Sequence, residues 1–238
     1  MRARVALVAA VAVATVLTGC GSKNTAETTT GGSTGQKVAL KVYFYRGNAL
    51  VPVTVRVPKT EAVASAAINA LLAGPPAGYE TAIPAGVRLE SVAVASGVAS
   101  ARFSAGVSSH AARGQVVYTL TQFPTVTSVD GSTRAGFADL TPDAAIFVAE
   151  PKRDSTVSSP VHANGTADVF EATFAAEIWS GGKLLRTHTL TASSGTGTRG
   201  TWSATFDLPP GPARLVFYEP SAENGSHLHT TEVDLTVR

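Results

Sequence analysis

The chain contains a single cysteine, Cys20, so no disulfide can form within it. A chain of 238 residues without disulfides must be held together by the burial of apolar side chains, which favours domains of ordinary size over small disulfide-linked folds. The hydrophobic content of 44% is sufficient for packed cores. The length predicts one or two domains of about 100–200 residues each.

The residues before Cys20 have the layout of an export signal. Arg2 and Arg4 give a positive start, and residues 5–17 form an uncharged apolar run that is too short for a membrane-spanning helix. The ending Leu-Thr-Gly-Cys at residues 17–20 resembles the lipobox of bacterial lipoproteins. This resemblance implies cleavage before Cys20, a diacylglyceryl group on its sulfur, and anchorage at the extracytoplasmic face of the cell membrane by the acyl chains. The alternative is an ordinary signal peptide with an incidental cysteine.

The charge balance argues against a nucleic-acid partner. The chain has 19 Lys and Arg against 17 Asp and Glu, and two of the basic residues lie in the leader, which leaves 17 against 17. Nucleic-acid binders need clustered Lys and Arg to replace the counterions of the phosphates. We therefore expect no nucleic-acid binding.

Composition and periodicity divide the chain after the predicted signal peptide (residues 1–20). Residues 21–36 are almost free of apolar side chains and predict a flexible tether. Residues 37–138 predict an α+β layer in the order strand, strand, helix, strand, strand, helix, strand. Its helices are expected at residues 60–73, with Thr60 as the N-cap, and at residues 110–123.

The second half of the chain predicts an all-β domain over residues 143–238, after a link at residues 134–142. Seven short strands are separated by Gly, Pro and Asn signals, including a predicted turn at Asn164-Gly165. This pattern is typical of an immunoglobulin-like sandwich. Five aromatic side chains are expected between its sheets: Phe174, Trp179, Trp202, Phe206 and Phe217.

Residues 38–136 resemble the GerMN domain, which occurs in spore-germination and sporulation lipoproteins and in actinobacterial envelope lipoproteins. The most specific segment is YTLTQFP at residues 118–124, and ALLAGP at 70–75 and IPAGV at 83–87 precede it in the right order. The resemblance implies an α+β fold related to ring-building and envelope-scaffold modules, without an established active site. Arg102 stands where the family often carries an acidic residue.

Four segments of the second half resemble the immunoglobulin-like domain of bacterial spore germination proteins, which often follows GerMN. They are VSSP, GTADVFEA, GTGTRGTW and EPSAENGS, at residues 157–160, 165–172, 195–202 and 219–226. The predicted fold class is therefore α+β overall, with an N-terminal GerMN-like domain followed by an all-β immunoglobulin-like sandwich.

Two groups of side chains were considered for chemistry. His227 and His229 would share a side of a strand and could bind a metal, but two exposed histidines on a hairpin are favoured because no third ligand follows a metal-site spacing. Glu171 and Glu177 have the even spacing of one strand face, for which a solvated surface is favoured. The sequence has no nucleophile elbow and no phosphate-binding loop. We expect no catalytic site, no cofactor and no metal site.

The favoured function is a non-enzymatic, lipid-anchored scaffold or interaction module in the cell envelope of a high-GC actinobacterium. Its partner would be an envelope protein or a cell-wall polymer, and the GerMN-like domain is expected to self-associate or to bind a partner at a sheet edge. The alternative is a protein that binds peptidoglycan or cell-wall polysaccharide. That alternative requires exposed aromatic side chains. Tyr43, Tyr45 and Trp179, together with Glu171, form the predicted interaction surface.

Overall fold

The alternating run that starts at Lys37 forms the first hairpin of an α+β domain. The computed structural model describes residues 35–238, and the predicted signal peptide, Cys20 and most of the predicted tether lie outside the described residues. The elements of the first domain are β1 (Lys37–Arg46), β2 (Ala49–Pro58), α1 (Val63–Leu72), β3 (Leu89–Ala95), β4 (Val98–Phe103), α2 (His110–Leu120), β5 (Ser128–Val129) and a 3-10 helix (Arg134–Leu140). Strands β1 and β2 form one sheet, and β4 lies between β3 and β5 in another.

The two helices differ in how well their starts were predicted. Helix α1 begins at Val63 and not at the predicted residue 60, so Thr60 is not its N-cap. The Thr60 hydroxyl accepts a hydrogen bond from the Ala62 amide 3.1 Å away, which stabilises a turn before the helix rather than its first turn. Helix α2 begins at His110 as predicted, with Ser109 as a side-chain N-cap that accepts from the Ala112 amide at 3.1 Å. Neither of these helices is long and apolar enough to cross a membrane.

Side chains of α2 and of the turn that follows it close the free edge of β1 in place of another strand. The Gln122 side chain accepts a hydrogen bond from the Lys41 amide at 2.7 Å, and the Thr119 hydroxyl accepts one from the Tyr43 amide at 3.2 Å. Gln115 donates to the Tyr43 carbonyl at 3.0 Å. Gln115 and Thr119 are four residues apart, so they lie on one face of α2, and Gln122 lies in the turn that follows the helix. The polar positions of the YTLTQFP segment therefore have a structural role.

The predicted link at residues 134–142 is wrong, because most of it belongs to the first domain. Phe137 and Leu140 are buried in the core of this domain, against α2. Gly114 permits this contact, since a Cβ atom there would lie 2.2 Å from a methyl group of Leu140. The Arg134 guanidinium lies 4.7 Å from the ring centre of Tyr118 and donates to its carbonyl oxygen.

The second domain is a sandwich of a five-stranded and a three-stranded sheet. Its strands are β6 (Ile146–Glu150), β7 (Ser155–Val157), β8 (Val161–Ala167), β9 (Thr173–Ser180), β10 (Lys183–Thr191), β11 (Gly200–Phe206), β12 (Gly211–Pro220) and β13 (His227–Val237). The strand orders are β10-β9-β12-β13-β7 and β11-β8-β6. The predicted all-β immunoglobulin-like class is confirmed. The domain has eight strands instead of seven, because residues 158–160 separate β7 from β8.

Four of the five predicted aromatic residues fill the space between the sheets. Phe174, Phe206 and Phe217 are fully buried, and the Trp202 ring lies 5.1 Å from that of Phe217. Trp179 is the exception, because even-numbered residues of β9 face the core and odd-numbered residues face outward. Phe170, which precedes this strand, is 61% exposed.

The predicted turn at Asn164-Gly165 is also wrong. Both residues lie inside β8, which pairs with β6 and β11. A Cβ atom at position 165 would lie 1.9 Å from the carbonyl oxygen of Phe147. Glycine is therefore needed here for the close approach of another backbone and not for a turn.

Asn48 joins the two domains from the turn between β1 and β2. Its side chain is buried, with the residue only 4% exposed. Its amide group donates to the carbonyl oxygens of Val148 at 3.0 Å and Pro151 at 2.9 Å, and its oxygen accepts from the Arg153 amide at 2.8 Å. All three polar contacts cross from the first domain to the second, so one side chain fixes their contact.

Candidate functional site

The two predicted tyrosines do not form an exposed surface. Tyr43 is 8% exposed and Tyr45 is 6% exposed. Their side chains lie on the face of β1 that α2 covers: the Tyr45 hydroxyl donates to the Ala111 carbonyl at 3.0 Å, and the Tyr43 ring lies 5.2 Å from that of Tyr118. The prediction of exposed rings at these two positions is wrong, because a helix packs where solvent was expected.

Burial of Tyr45 makes the stability of the protein depend on pH at the alkaline end. Burial raises the pKa of the Tyr45 phenol well above its usual value of about 10. The neutral phenol is therefore favoured in the fold, and its contribution to stability is complete below the unfolded pKa and is lost as the pH rises toward the folded pKa. The free energy of unfolding should fall above about pH 10.

The variant Tyr45→Phe removes this titration. We expect it to cost about 1 kcal/mol at neutral pH through the lost hydrogen bond, and to reduce the decline of stability at alkaline pH. Urea unfolding between neutral and strongly alkaline pH measures both effects. Some decline should persist, because burial also raises the pKa values of Tyr118 and Tyr218. An alkaline slope equal to that of the wild type would contradict this account.

Glu171 and Glu177 do not share a strand face. Strand β9 begins at Thr173, and Glu171 lies before it in a 3-10 turn with a φ of 51° and an exposed side chain. Glu177 lies within β9 and is 8% exposed. The prediction that they form an exposed pair is therefore wrong, because Glu171 precedes the strand and Glu177 is buried within it.

The buried carboxylate of Glu177 organises a cluster on the outer face of the five-stranded sheet. It accepts a hydrogen bond from the indole N–H of Trp179 at 2.8 Å. The His227 imidazole lies 3.4 Å from the same carboxylate and is stacked on the Tyr218 ring, with the ring centres 3.4 Å apart. Burial raises the pKa of the Tyr218 phenol, and the charge of Glu177 and a hydrogen bond to it raise it further. The indole ring is thus held in one orientation.

A clamp of charged side chains lies beside Trp179 on the same face. In register, Arg214 of β12 lies between Trp179 of β9 and Asp234 of β13. Its guanidinium contacts Asp234 at 2.6 Å and Glu232 at 2.9 Å, and all three side chains are about half exposed. Together with the Gly181-Gly182 turn and Pro212, these residues line a groove of about 850 Å³. We call it the Trp179 groove.

The sequence had drawn attention to Trp179 as a surface aromatic residue, to Glu177 as half of a carboxylate pair, to His227 and Glu232 as possible metal ligands, and to the Gly181-Gly182 turn, but not to their meeting in one groove. The alternation in β12 and β13 places Arg214, Glu232 and Asp234 on outward-facing positions. That pattern was readable from the sequence, but their meeting depends on β12 lying between β9 and β13, which is a property of the strand order.

The two histidines contact different carboxylates. His227 faces Glu177, whereas His229 lies 3.6 Å from Glu219 in a segment where β13 loses its regular register with β12. Within residues 35–238, no three His, Cys, Asp or Glu side chains are placed to hold a metal ion.

A second cavity of about 640 Å³ lies between the domains. Asp139 in its wall contacts the His110 imidazole at 2.8 Å and the Arg153 guanidinium at 3.4 Å. The backbone amide of Arg153 also donates to Asn48, so this cluster reinforces the contact between the domains. The Trp179 groove, which presents an aromatic face, is the stronger candidate for ligand binding.

Each of the two domains matches a known protein family. Residues 41–130 match the family described as "Sporulation and spore germination", and residues 145–226 match the "Immunoglobulin-like domain of bacterial spore germination". The chain therefore carries a domain that matches the first family, followed by a domain that matches the second. No curated protein matches the chain significantly.

Two solved structures resemble the chain distantly. The tandem GerMN domains of the sporulation protein GerM from Bacillus subtilis share 16% identity with a TM-score of 0.32, over 72% of this chain and 62% of that one. The chain thus spans less than two thirds of that structure. An engineered protein shares 16% identity with a TM-score of 0.26, over 56% of this chain and 38% of its own.

Proposed function

We propose that the chain is a lipid-anchored, extracytoplasmic interaction protein of the bacterial cell envelope, that it catalyses no reaction, and that the Trp179 groove holds its partner. The lipobox-like ending at Cys20 supports the anchorage. The match to sporulation and spore germination domains supports a role in the envelope.

The observation that carries the proposal is the fixed indole of Trp179. Its N–H is already bound by the buried carboxylate of Glu177, so little side-chain freedom is lost when a partner binds against the ring. Tryptophan and arginine dominate the binding energy of many interfaces, and Arg214 is the neighbour of Trp179 in register.

The polar groups of the groove favour binding over catalysis. A general acid or base needs a polar atom directed at its substrate. Here the Glu177 carboxylate is engaged by Trp179 and Tyr218, and the Arg214 guanidinium is engaged by two carboxylates. Such groups are suited to holding the shape and charge of a binding surface rather than to exchanging protons with a substrate.

A cell-wall polysaccharide is the second candidate partner, and the half-buried indole of Trp179 favours it. A flat aromatic face can pack against the C–H face of a sugar ring, and the half-exposed carboxylates of Glu232 and Asp234 can accept hydrogen bonds from sugar hydroxyls. Of the three aromatic residues predicted for such a site, only Trp179 is not buried.

Photo-crosslinking in cells tests the proposal. A photoreactive residue at Ser180, on the rim of the groove, is compared with one at Ser203, an exposed serine on the three-stranded sheet. We expect defined crosslinked products from position 180 only, and their loss when Trp179→Ala is added. Protein in the products indicates an envelope protein, and glycan indicates the wall polymer. Equal crosslinking from both positions, or products unchanged by Trp179→Ala, would rule out the groove as the binding site.

A further inference from the structure

Several sheet edges in the described residues carry features that block the addition of another strand. The edge of β1 is closed by side chains of α2 and by Gln122, which follows this helix. Strand β2 contains Pro52 and Pro58, which have no N–H to donate. Strand β10 has a register shift between residues 184 and 186, and it carries Lys183 and Arg186. Prolines, charges and bulges at edges prevent pairing between sheets.

Other edges are short or already bonded. Strand β7 has three residues, and β5 has two. On β11 the Thr201 amide donates to the Ser193 hydroxyl at 2.9 Å, and its carbonyl accepts from the Ser193 amide at 2.8 Å. On β6 the Val148 carbonyl accepts from Asn48.

Strand β3 differs from all of these. It pairs with β4 on one side, and none of the described strands pairs with its other side. No charged residue occurs between Ser91 and Ala101, and this stretch contains no proline. Val94 near the end of β3 is 44% exposed, and Val98, the partner of Ala95 across the hairpin turn, is 40% exposed. Such an uncharged, apolar edge is a template for a further strand.

We propose that β3 pairs with β3 of a second copy of the chain, so that the β3-β4-β5 sheets of the two copies form one continuous antiparallel sheet. Because this edge carries no charge, it does not attract a charged partner, and two copies of it can pair without repulsion between like charges. Two identical antiparallel strands are related by a two-fold axis, the commonest symmetry of protein dimers.

The sequence of β3 fixes the register of this pairing. An axis through Ala93 pairs all five residues of 91–95, with Ser91 opposite Ala95 of the second copy and Val92 opposite Val94. Each exposed Val94 then gains a β-branched neighbour across the strands, which is a stabilising pair. The bulge at Glu90 ends the pairing between the two copies before this residue, so its charge stays out of the interface.

Disulfide trapping tests this pairing in the full chain carrying Cys20→Ser. A cysteine at Ala93 lies beside its copy across the axis, whereas one at Ser100, its exposed partner on β4, lies one strand further away. Under mild oxidation we expect at least about fivefold more disulfide-linked dimer from Ala93→Cys than from Ser100→Cys, because bridging needs Cβ atoms about 4 Å apart. Equal dimer from the two variants would overturn the inference.

A second pair of variants tests the edge without cysteines. Val94→Lys places like charges near the axis, whereas Val98→Lys adds the same charge to the interior strand of the same hairpin. Sedimentation velocity over a range of concentrations should show weaker self-association for Val94→Lys only. A monomer at all concentrations in the wild type, or equal effects of the two lysines, would contradict the inference. These readouts do not involve the Trp179 groove, so they succeed or fail separately from the proposed function.

Discussion

Replacing Gln115 with leucine is expected to lower the free energy of unfolding by on the order of 3–6 kcal/mol, a large share of the roughly 5–15 kcal/mol that stabilises a typical domain. Gln115 is fully buried, and its side chain joins three segments. It donates to the Tyr43 carbonyl and accepts from the Ala82 amide at 2.7 Å and the Thr81 hydroxyl at 3.1 Å. Leucine has a similar size but leaves these buried groups without partners.

Urea unfolding followed by circular dichroism at 222 nm measures this effect, since both α-helices belong to the first domain. Gln36→Leu is the matched control, because Gln36 is exposed and its side chain, within residues 35–238, hydrogen-bonds only to the ammonium group of Lys59. We expect the control to change stability by less than about 0.5 kcal/mol. Similar effects of the two substitutions would show that the polar closure of the β1 edge contributes little.

Asn48→Ala is expected to cost on the order of 2–4 kcal/mol and to separate the unfolding of the two domains. The substitution leaves the Val148 and Pro151 carbonyls and the Arg153 amide without their partner at the domain contact. Each domain retains its own core, so each should still fold when the contact is weakened.

Two probes follow the domains separately. Trp179 and Trp202 are the only tryptophans and both lie in the second domain, so fluorescence reports that domain, whereas the helical signal reports the first. The two curves should coincide in the wild type and diverge in Asn48→Ala. The exposed Asn164 on β8 provides the control Asn164→Ala, for which the curves should still coincide. Coincident curves in Asn48→Ala would refute the role of this side chain.

The sequence predicted the elements better than their surroundings. Alternation correctly identified β1 and the positions of Tyr43 and Tyr45 on one face, but a period of two does not say whether solvent or a helix covers that face. Glycine was read as a turn signal at Gly165, where it serves the close approach of Phe147. Both errors come from contacts between residues far apart in the chain, which local patterns do not contain.

The candidate site has the same limitation in another form. Trp179 was selected as an aromatic residue for a surface, and it does line a groove. The sequence suggested Glu177 only as half of a carboxylate pair. Its hydrogen bond from the indole N–H arises because Glu177 and Trp179 are successive outward-facing residues of one strand. Arg214 and Asp234 are 20 residues apart in sequence, and only the β12–β13 pairing brings them together.

The proposed function is tested most directly by crosslinking from position 180 in cells that carry either Cys20 or Cys20→Ala. If the chain is an anchored interaction protein, the wild-type anchor gives defined crosslinked products in the membrane fraction, and Cys20→Ala releases the chain from the membrane and removes or strongly reduces those products. Products that are unchanged in amount and location after Cys20→Ala would contradict lipid anchorage as the basis of the function.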